Sequence, residues 1–566
     1  MKRNAEIRTA AIILFFSALA VFVKLPYALS PQLSGLNLGG DDSAMLHALR
    51  RVERGLEYTI PNWEKTAERK DLSFVGRQFI GQQPPGARWA VSAAAKTGAG
   101  LHASYSIVYL AMVFFGVAGW MRFGKIFLSP GSLLLFGVGL VLYYSGLKGK
   151  LAYAFMWAIL PYYFMLLVSA MDCEKNSSPA HSAAIAALVA ASVFVWFGGF
   201  YLGVAGGASI LFLGKGPFVR RAGRAAVIAS SGFLALIAIG KLIQTEAVSQ
   251  YSSKLVLGFN LFHIPFSHYF SAISIFFGDM PAAATASFSL SALRSNASAA
   301  VIMILALFSV AVLAISASAF IRGLLSGKQK KFLYIFLFHF SVLFAFLFAI
   351  SVIFLDPRVQ GNANALMQAE TYMWHLATAG ALFWIASVWA WIAESIKGEL
   401  GNLSRYAAIG FLCFAAAIVS ANLIISATGI GKNWKSAALK RQESRLASDF
   451  IRNDSMEKNY GRAIVFDAEK KHHLIDGRFD VLNQFHNCEW LKESKNTQPV
   501  FIYVVSRRNL RPSAFRKTSG EVLFRDSLEM VSALKLEKMA QFLGGDVIIF
   551  GGEVMPYSKG SIECGL

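Results

Sequence analysis

The sequence predicts a polytopic α-helical membrane protein with about eleven transmembrane helices and a small α/β domain at its C-terminal end. Apolar runs of roughly 18–24 residues recur along the chain, and each is long enough to cross the ~30 Å hydrocarbon layer as a helix. Charged residues make up only 15% of the 566 residues, whereas soluble proteins carry about 25%. Beyond residue 428, the apolar runs stop and short strand-like segments begin.

The apolar runs define the predicted spans. The first run follows the charged segment MKRNAEIR and is too long for the apolar core of a signal peptide, so we expect it to remain as a helix. Only Gly198 and Gly199 separate two of the shorter runs. The predicted spans cover residues 9–29, 104–121, 126–146, 151–171, 182–198, 200–214, 225–243, 299–321, 332–355, 373–393 and 406–427.

Basic residues in short loops predict the orientation, because cytoplasmic loops are enriched in Lys and Arg. The N-terminal segment and alternate short loops are basic, whereas the loop at 172–181 is roughly neutral. We therefore expect a multi-pass protein of the bacterial inner membrane with a cytoplasmic N-terminus and, after an odd number of spans, a periplasmic C-terminal domain. The basic residues are Lys2, Arg3, Arg8, Arg122, Lys125, Lys215, Arg220, Arg221, Arg224, Arg322, Lys328, Lys330, Lys331, Lys397 and Arg405.

The net charge of +21 does not indicate a nucleic-acid partner. The positive residues are spread over short loops and the C-terminal segment, so membrane topology explains them, and membrane lipids are natural contacts. The four cysteines form no CxxC pair, and their spacing excludes a zinc site. A disulfide between Cys488 and Cys564 is possible if their segment is extracytoplasmic. The sequence specifies no cofactor and leaves a divalent metal open.

The segment 428–566 is interpreted as the periplasmic α/β domain, and 1–427 as the transmembrane domain. KNWKSAALKRQESRLASDFIRN predicts a charged helix leaving the membrane. AIVFD, PVFIYVVS and DVIIF predict short buried strands, and SLEMVSALKLEKMAQFL predicts an amphipathic helix. Within the transmembrane domain, the outer segments 30–103, 244–298 and 356–372 are too long to be simple turns.

The first outer segment carries the main candidates for chemistry. It begins with LNLGGDDSAMLHALRRVERG, which places Asp41 and Asp42 at the start of a predicted helix whose apolar positions begin at Met45. Carboxylates at a helix N-terminus can cap its free amides, so one interpretation of this pair is a helix cap. The segment ends with GRQFIGQQPPGARWAVSAA, in which Gln83 precedes two prolines.

The acidic pair early in this loop and Gln83-Pro84-Pro85-Gly86 late in it resemble the GT-C superfamily of membrane glycosyltransferases. Those enzymes carry an Asp/Glu pair early in a long first outer loop, and many carry an aromatic- or His-Pro-Pro-type motif late in it. Gln83 replaces the commoner residue before the prolines. The resemblance implies an inverting transfer of one sugar from a polyprenyl-phosphate donor to a periplasmic acceptor: an envelope glycan, lipopolysaccharide or a protein. It also implies that Asp41 is the catalytic base, with Asp42 as the second candidate.

Such a transfer needs a base that takes the acceptor's hydroxyl proton during attack on the anomeric carbon. The departing lipid phosphate needs cations or hydrogen-bond donors. Lys148 and Lys150, in the short loop GLKGK, oppose the positive-inside trend and are candidate phosphate ligands, as are Arg77 and Arg88 beside the Gln-Pro-Pro motif. The alternative is that these lysines are ordinary loop residues and these arginines anchor the loop.

Three further side chains are candidate substrate contacts. They are Gln83, His263 and His268, although a packed or interfacial position is an alternative for both histidines. The arginines after the acidic pair are interpreted as a solvated helix face; they are Arg50, Arg51 and Arg54.

Two other function classes stay open. An O-antigen polymerase or ligase also has many spans, but it usually places its large catalytic loop late in the chain. A transporter or flippase would carry inverted repeats or paired half-helices around charged midplane residues, and the sequence shows neither. The short inner loops contain no Walker motif or dinucleotide fingerprint, which favours a lipid-borne donor over a nucleotide sugar.

Overall fold

The computed structural model describes two parts of the chain, a helical bundle and a C-terminal α/β unit. The described residues are 2–28, 40–53, 85–128, 133–134, 136–141, 151–172, 179–196, 199–242, 445–458, 463–467, 480–482, 500–507, 515–516, 522–524, 528, 531–532 and 534–554.

The described part of the bundle contains eight helices of at least ten residues each. They are α1 (Lys2–Ala28), α2 (Gly40–Glu53), α3 (Gly86–Ala95), α4 (Leu101–Phe127), α5 (Leu151–Asp172), α6 (Pro179–Val195), α7 (Phe200–Leu213) and α8 (Phe218–Leu242). Within the described residues, α1, α4, α5 and α8 are long and apolar enough to cross a membrane, and α6 and α7 are shorter apolar helices. These helices agree with the predicted membrane class.

Seven spans are predicted over this part of the chain, whereas the described residues form four helices long enough to cross a membrane and two shorter apolar helices, and the boundaries also differ. The runs at 182–198 and 200–214 form two separate helices, α6 and α7, as predicted. The third predicted span, 126–146, begins too early, because α4 continues to Phe127 and the next helical residues are 133–134 and 136–141. The last four predicted spans lie outside the described residues, so the total of about eleven stays a prediction.

Helix α1 packs along α4 and buries residues at intervals of four positions. Its buried positions include Phe16, Ala20 and Ala28, as expected for one face of a helix. At the end of this contact, the Ser106 hydroxyl donates a hydrogen bond of 2.6 Å to the Ala28 carbonyl. The C-terminus of α1 therefore meets the N-terminal turns of α4, and the two helices run antiparallel.

The opposite end of the bundle is held by arginines and is called the arginine end. Arg224 donates to the Ala170 carbonyl near the end of α5 (3.1 Å) and to the Ser182 hydroxyl of α6 (3.1 Å). Arg221 donates to the Leu211 carbonyl at the end of α7 (2.7 Å). Cations at helix C-termini satisfy unpaired carbonyls and oppose the negative end of the helix dipole.

Helices α7 and α8 approach closely because α7 carries glycines at the contact. A Cβ on Gly203 would lie 3.0 Å from the Ile228 carbonyl oxygen, and one on Gly207 would lie 2.9 Å from that of Ala225. Lipid supplies no hydrophobic driving force between helices, so close backbone contact at small residues stabilises their association. Close packing at these glycines therefore holds α7 and α8 together.

The C-terminal unit combines helix α9 (445–457) with two sheets. The larger sheet has the order β2-β1-β3-β7-β6, in which β1 is parallel to β2 and β3, whereas β7 is antiparallel to β3 and β6. Strands β4 and β5 form a separate pair. The strands are β1 (Ala463–Asp467), β2 (Asp480–Leu482), β3 (Val500–Arg507), β4 (Phe515–Arg516), β5 (Val522–Phe524), β6 (Glu537–Phe542) and β7 (Val547–Val554).

Helix α9 covers one face of the larger sheet. Ala447 and Ile451 of the helix are buried in one cluster with Val465 of β1 and Tyr503 of β3. The Tyr503 hydroxyl also donates to the Asp454 carboxylate (2.6 Å), which joins the helix to the sheet through a polar contact. The strands predicted at AIVFD, PVFIYVVS and DVIIF are confirmed as β1, β3 and β7.

The amphipathic helix predicted over SLEMVSALKLEKMAQFL is wrong in its second half. Residues 537–542 form strand β6, which pairs with β7. The chain turns at Lys535, whose φ of +52° no helix accommodates, and the Leu536 amide donates back to the Val531 carbonyl (2.9 Å). Pairing with the exposed edge of β7 therefore outweighs the local helical pattern.

Candidate functional site at one end of the bundle

Helix α2 places the acidic pair in its first turn. The helix starts at Gly40 and buries Met45, Leu46 and Leu49, which are the positions that the sequence pattern predicts. Asp42 is only 5% exposed. Asp41 belongs to the same turn, but its side chain lies outside the described ones.

The carboxylate of Asp42 joins three helices. Its Oδ2 atom accepts hydrogen bonds from the Tyr105 hydroxyl of α4 (2.7 Å) and from the backbone N–H of Leu151, the first residue of α5 (2.9 Å). Asp42 thus caps the N-terminus of helix α5. The sequence had suggested a cap of helix α2, to which Asp42 itself belongs. The two donors come from α4 and from the N-terminus of α5, where the helix dipole attracts negative charge. We call this region, with the C-terminus of α1 and the N-termini of α4 and α5, the Asp42 end.

The hydrogen bond to Asp42 involves the residue that directly follows the predicted lysine loop. Lys148 and Lys150 lie outside the described residues, but Leu151 directly follows Lys150 in the chain. Because the Leu151 amide is 2.9 Å from Asp42 Oδ2, the loop ends at the acidic carboxylate. The hydrogen bond therefore joins Asp42 to a residue 109 positions later in the chain.

The Gln-Pro-Pro-Gly motif leads into helix α3, which docks on α6. Pro85 is the N-cap residue, and its carbonyl accepts from the Trp89 amide (2.9 Å). A Cβ on Gly86 would lie 2.7 Å from the Phe194 carbonyl oxygen, so this position has no room for a larger residue. Trp89 also packs against the Phe194 ring, with centroids 5.9 Å apart. Gln83 and Arg77 lie outside the described residues, as do His263 and His268.

Arg88, on α3, is a buried cation at the Asp42 end. Its side chain is 4% exposed, and burial lowers the pKa of its guanidinium to about 10. A group with that pKa remains protonated at neutral pH. A buried guanidinium with a fixed positive charge is suited to bind a phosphate or a carboxylate.

Several polar residues at this end were not identified from the sequence. Tyr105 stacks on Tyr109, with ring centroids 6.1 Å apart and an interplanar angle of 17°. Arg50 is half-buried and lies 3.0 Å from His102 Nε2, so its assignment to a solvated face is wrong. The signal that could have identified the stacked pair is two tyrosines four residues apart in a largely apolar run.

Buried charge is concentrated at the Asp42 end. Among the described residues, the buried ionisable side chains with acidic or basic groups are two cations, one carboxylate and one histidine. They are Lys24 near the C-terminus of α1, Arg88 on α3, and Asp42 and His47 on α2. Within the same residues, no group of three His, Cys, Asp or Glu side chains could hold a metal ion.

Comparisons with known proteins add one structural likeness. No family model matches the chain, and no curated protein matches it. Among solved structures, the apo crystal structure of the Archaeoglobus fulgidus oligosaccharyltransferase is similar at 11% identity and a TM-score of 0.40. The match covers 88% of this chain and 69% of that chain. A likeness at this level does not establish a shared function.

Proposed function

We propose that this protein is a membrane glycosyltransferase that moves a sugar from a polyprenyl-phosphate donor to an acceptor hydroxyl. The observation that supports the proposal is the buried carboxylate of Asp42, which accepts a hydrogen bond from the amide of Leu151, directly after the predicted lysine loop. Helix α3 adds a buried arginine, Arg88. Transfer from a lipid phosphate requires a base, a cationic site for the phosphate and access from the membrane. All three requirements have candidates there.

In the proposed reaction, Asp41 is the base. It takes the proton of the acceptor hydroxyl while that oxygen bonds to the anomeric carbon, and the bond from this carbon to the phosphate oxygen breaks. The lipid phosphate leaves with the electron pair, and the configuration of the sugar inverts. Asp42 is the weaker candidate because two donors already occupy one of its oxygens.

The departing phosphate gains negative charge, which cations stabilise in the transition state. We assign this role to Arg88, Lys148 and Lys150, with Arg77 as a further candidate. Gln83, His263 and His268 stay candidates for substrate contact.

The arginine end supports the proposed orientation, because basic residues mark the cytoplasmic side. With that end in the cytoplasm, the Asp42 end faces the periplasm of a bacterial inner membrane. The acceptor is then an envelope glycan, lipopolysaccharide or a protein, and the donor reaches the site from the outer leaflet.

The proposal is tested by incubating purified protein in detergent with a labelled polyprenyl-phosphate sugar and an envelope fraction as acceptor. We expect the label to move to the acceptor and free polyprenyl phosphate to accumulate. A transporter would leave the donor chemically unchanged, and a polymerase or ligase would leave a monophosphate-linked sugar unused. Either of these results would contradict the proposed function.

Replacing both loop lysines, Lys148→Gln and Lys150→Gln, is expected to lower turnover at saturating donor by at least ~10-fold, because a charge that stabilises the leaving phosphate is lost. The matched control is Lys96→Gln, which removes an exposed lysine at the end of α3. Turnover should be measured in detergent and in membranes. Undiminished turnover in detergent would assign the lysines to lipid anchoring and leave Arg77 and Arg88 as phosphate ligands.

A further inference from the structure

The connection between α7 and α8 leaves large apolar side chains exposed at the arginine end. Phe212 and Phe218 are 67% and 64% exposed, and Val219 is 80% exposed. They flank the connection on both sides, because Phe212 belongs to the last turn of α7 and the other two are the first residues of α8. We call residues 212–220 the α7–α8 turn.

Basic side chains lie among these apolar ones. Lys215 is exposed in the middle of the α7–α8 turn, and Arg220 is exposed in the first turn of α8. Segments that combine exposed Phe and Leu with Lys and Arg bind at membrane surfaces, where the apolar groups enter the acyl boundary and the cations meet lipid headgroups. The combination favours a lipid over a soluble anion, because a soluble anion gains nothing from the apolar side chains.

The backbone of the turn is anchored to the bundle. The Lys215 amide donates to the Met171 carbonyl near the end of α5 (3.3 Å). Arg221 donates to the Gly214 carbonyl (3.3 Å), and its guanidinium carbon lies 5.9 Å from the centre of the Phe218 ring. The exposed side chains therefore project from a backbone that α5 and α8 hold in place.

The charge around the turn is positive. Helices α4 and α5 end at the arginine end, and α1 and α8 begin there. On these described helix ends and in the turn, Glu6 and Asp172 are outnumbered by basic residues, and such an excess attracts anionic lipids. The basic residues are Lys2, Arg3, Arg8, Arg122, Lys125, Lys215, Arg220, Arg221 and Arg224.

We propose that the α7–α8 turn binds an anionic glycerophospholipid. Lys215 and Arg220 meet its phosphate, and Phe218 and Val219 lie against the first carbons of its acyl chains. Contacts of exposed charged side chains within a protein are weak, so a headgroup can replace them. The inference does not depend on sugar transfer, because the turn lies at the end of the bundle opposite to the Asp42 end.

A lipid bound at the turn stabilises the arginine end. Beside the turn, Arg224 holds α5 to α6, and Arg221 binds the end of α7. A ligand that binds only the folded arrangement raises its stability. The midpoint of thermal unfolding in detergent should therefore rise with added phosphatidylglycerol. Phosphatidylcholine, whose headgroup carries no net charge, should leave it unchanged.

The binding test compares the wild type with three variants in detergent by native mass spectrometry. The turn variant, Lys215→Gln with Arg220→Gln, removes two exposed charges. The matched control, Arg122→Gln with Lys125→Gln, removes two exposed charges from the last turns of α4 at the same end of the bundle. Val219→Ser removes an apolar side chain without changing the charge. The ligands are phosphatidylglycerol, phosphatidylcholine and glycerol 3-phosphate.

We expect the turn variant to lose about 30-fold in affinity for phosphatidylglycerol, since each basic residue near an anionic lipid contributes about fivefold. Its affinity for phosphatidylcholine should not change, and the α4 control should bind like the wild type. Val219→Ser should weaken the binding of both phospholipids. Glycerol 3-phosphate should bind weakly to all four proteins. Because every replaced side chain is exposed, the variants should fold.

Several results would overturn the proposal. Unchanged phosphatidylglycerol binding by the turn variant would exclude Lys215 and Arg220 as ligands. An equal loss in the α4 control would assign the binding to the overall positive charge of this end. Equal affinity of the wild type for phosphatidylcholine would remove the assignment to an anionic lipid, and equal affinity for glycerol 3-phosphate would indicate a soluble anion.

Hydrogen exchange on the wild type provides a measurement that does not depend on any variant. Phosphatidylglycerol should slow exchange of the Lys215 amide, which donates to the Met171 carbonyl, and phosphatidylcholine should not. Protection confined to other helix ends would contradict the proposal.

Discussion

Asp41→Asn is expected to abolish sugar transfer and to leave the protein inserted and folded. Asparagine matches aspartate in shape but cannot take a proton from the acceptor. Loss of a general base lowers a rate by ~10²–10⁴-fold. Turnover of a labelled polyprenyl-phosphate sugar and thermal unfolding of the same purified sample should be measured together, so that a loss of rate is separated from a loss of fold.

Asp42→Asn is the matched comparison for this prediction. Its side-chain oxygen can still accept from Tyr105 and from the Leu151 amide, so transfer should fall by less than ~10-fold, which corresponds to one weakened hydrogen bond. If Asp41→Asn were fully active and only ~0.5–2 kcal/mol less stable, Asp41 would be a helix cap. If Asp42→Asn alone were inactive, the base would be Asp42.

Asp42→Ala should lower the free energy of unfolding far more than Asp42→Asn does. Alanine offers no acceptor, so the buried Tyr105 hydroxyl and the N–H at the start of α5 both lose their partner. A buried donor without an acceptor costs ~1–3 kcal/mol, which gives a loss of about 2–6 kcal/mol for the two. The midpoint of thermal unfolding in detergent measures this loss, and hydrogen exchange at the Leu151 amide locates it.

Two tyrosine variants control for the loss of a single hydroxyl. Tyr105→Phe removes one of the two donors and should show roughly half of the effect of Asp42→Ala. Tyr162→Phe removes an exposed hydroxyl that donates to the Phe115 carbonyl (3.3 Å), and exposed substitutions usually change stability by less than ~0.5 kcal/mol. If Asp42→Ala unfolded at the same temperature as Tyr162→Phe, the three-helix junction would not stabilise the bundle.

The sequence predicted those features that repeat locally. The period of Met45, Leu46 and Leu49 predicted helix α2, and dense β-branched residues predicted β1, β3 and β7. The same reasoning failed at β6, where apolar residues at helical spacing form a strand because the edge of β7 supplies hydrogen bonds. A pattern within a short segment contains no information about an edge formed by other segments.

The candidate site was predictable only in part, because its contacts join distant segments. The acidic pair stood out through its place in the first outer loop. Its partner at Leu151, however, is a backbone amide, which every residue except proline carries. Tyr105 and Lys24 occur in apolar runs, where a single polar residue is read as an interfacial anchor. Their burial on facing helices became visible only in the folded structure.

The hydrogen bond between Asp42 and Leu151 also imposes an order on the synthesis of the protein. Its two residues are 109 positions apart, and ribosomes add about 5–20 residues per second, so α2 waits roughly 5–20 s for its partner. During this interval the Tyr105 hydroxyl is already available to Asp42 but the Leu151 amide is not, and burying a carboxylate with an incomplete set of donors is unfavourable. Membrane insertion of α5 is therefore the event that completes the docking of α2. A nascent chain arrested before residue 151 would keep this segment open to proteases, and release of the arrest would protect it.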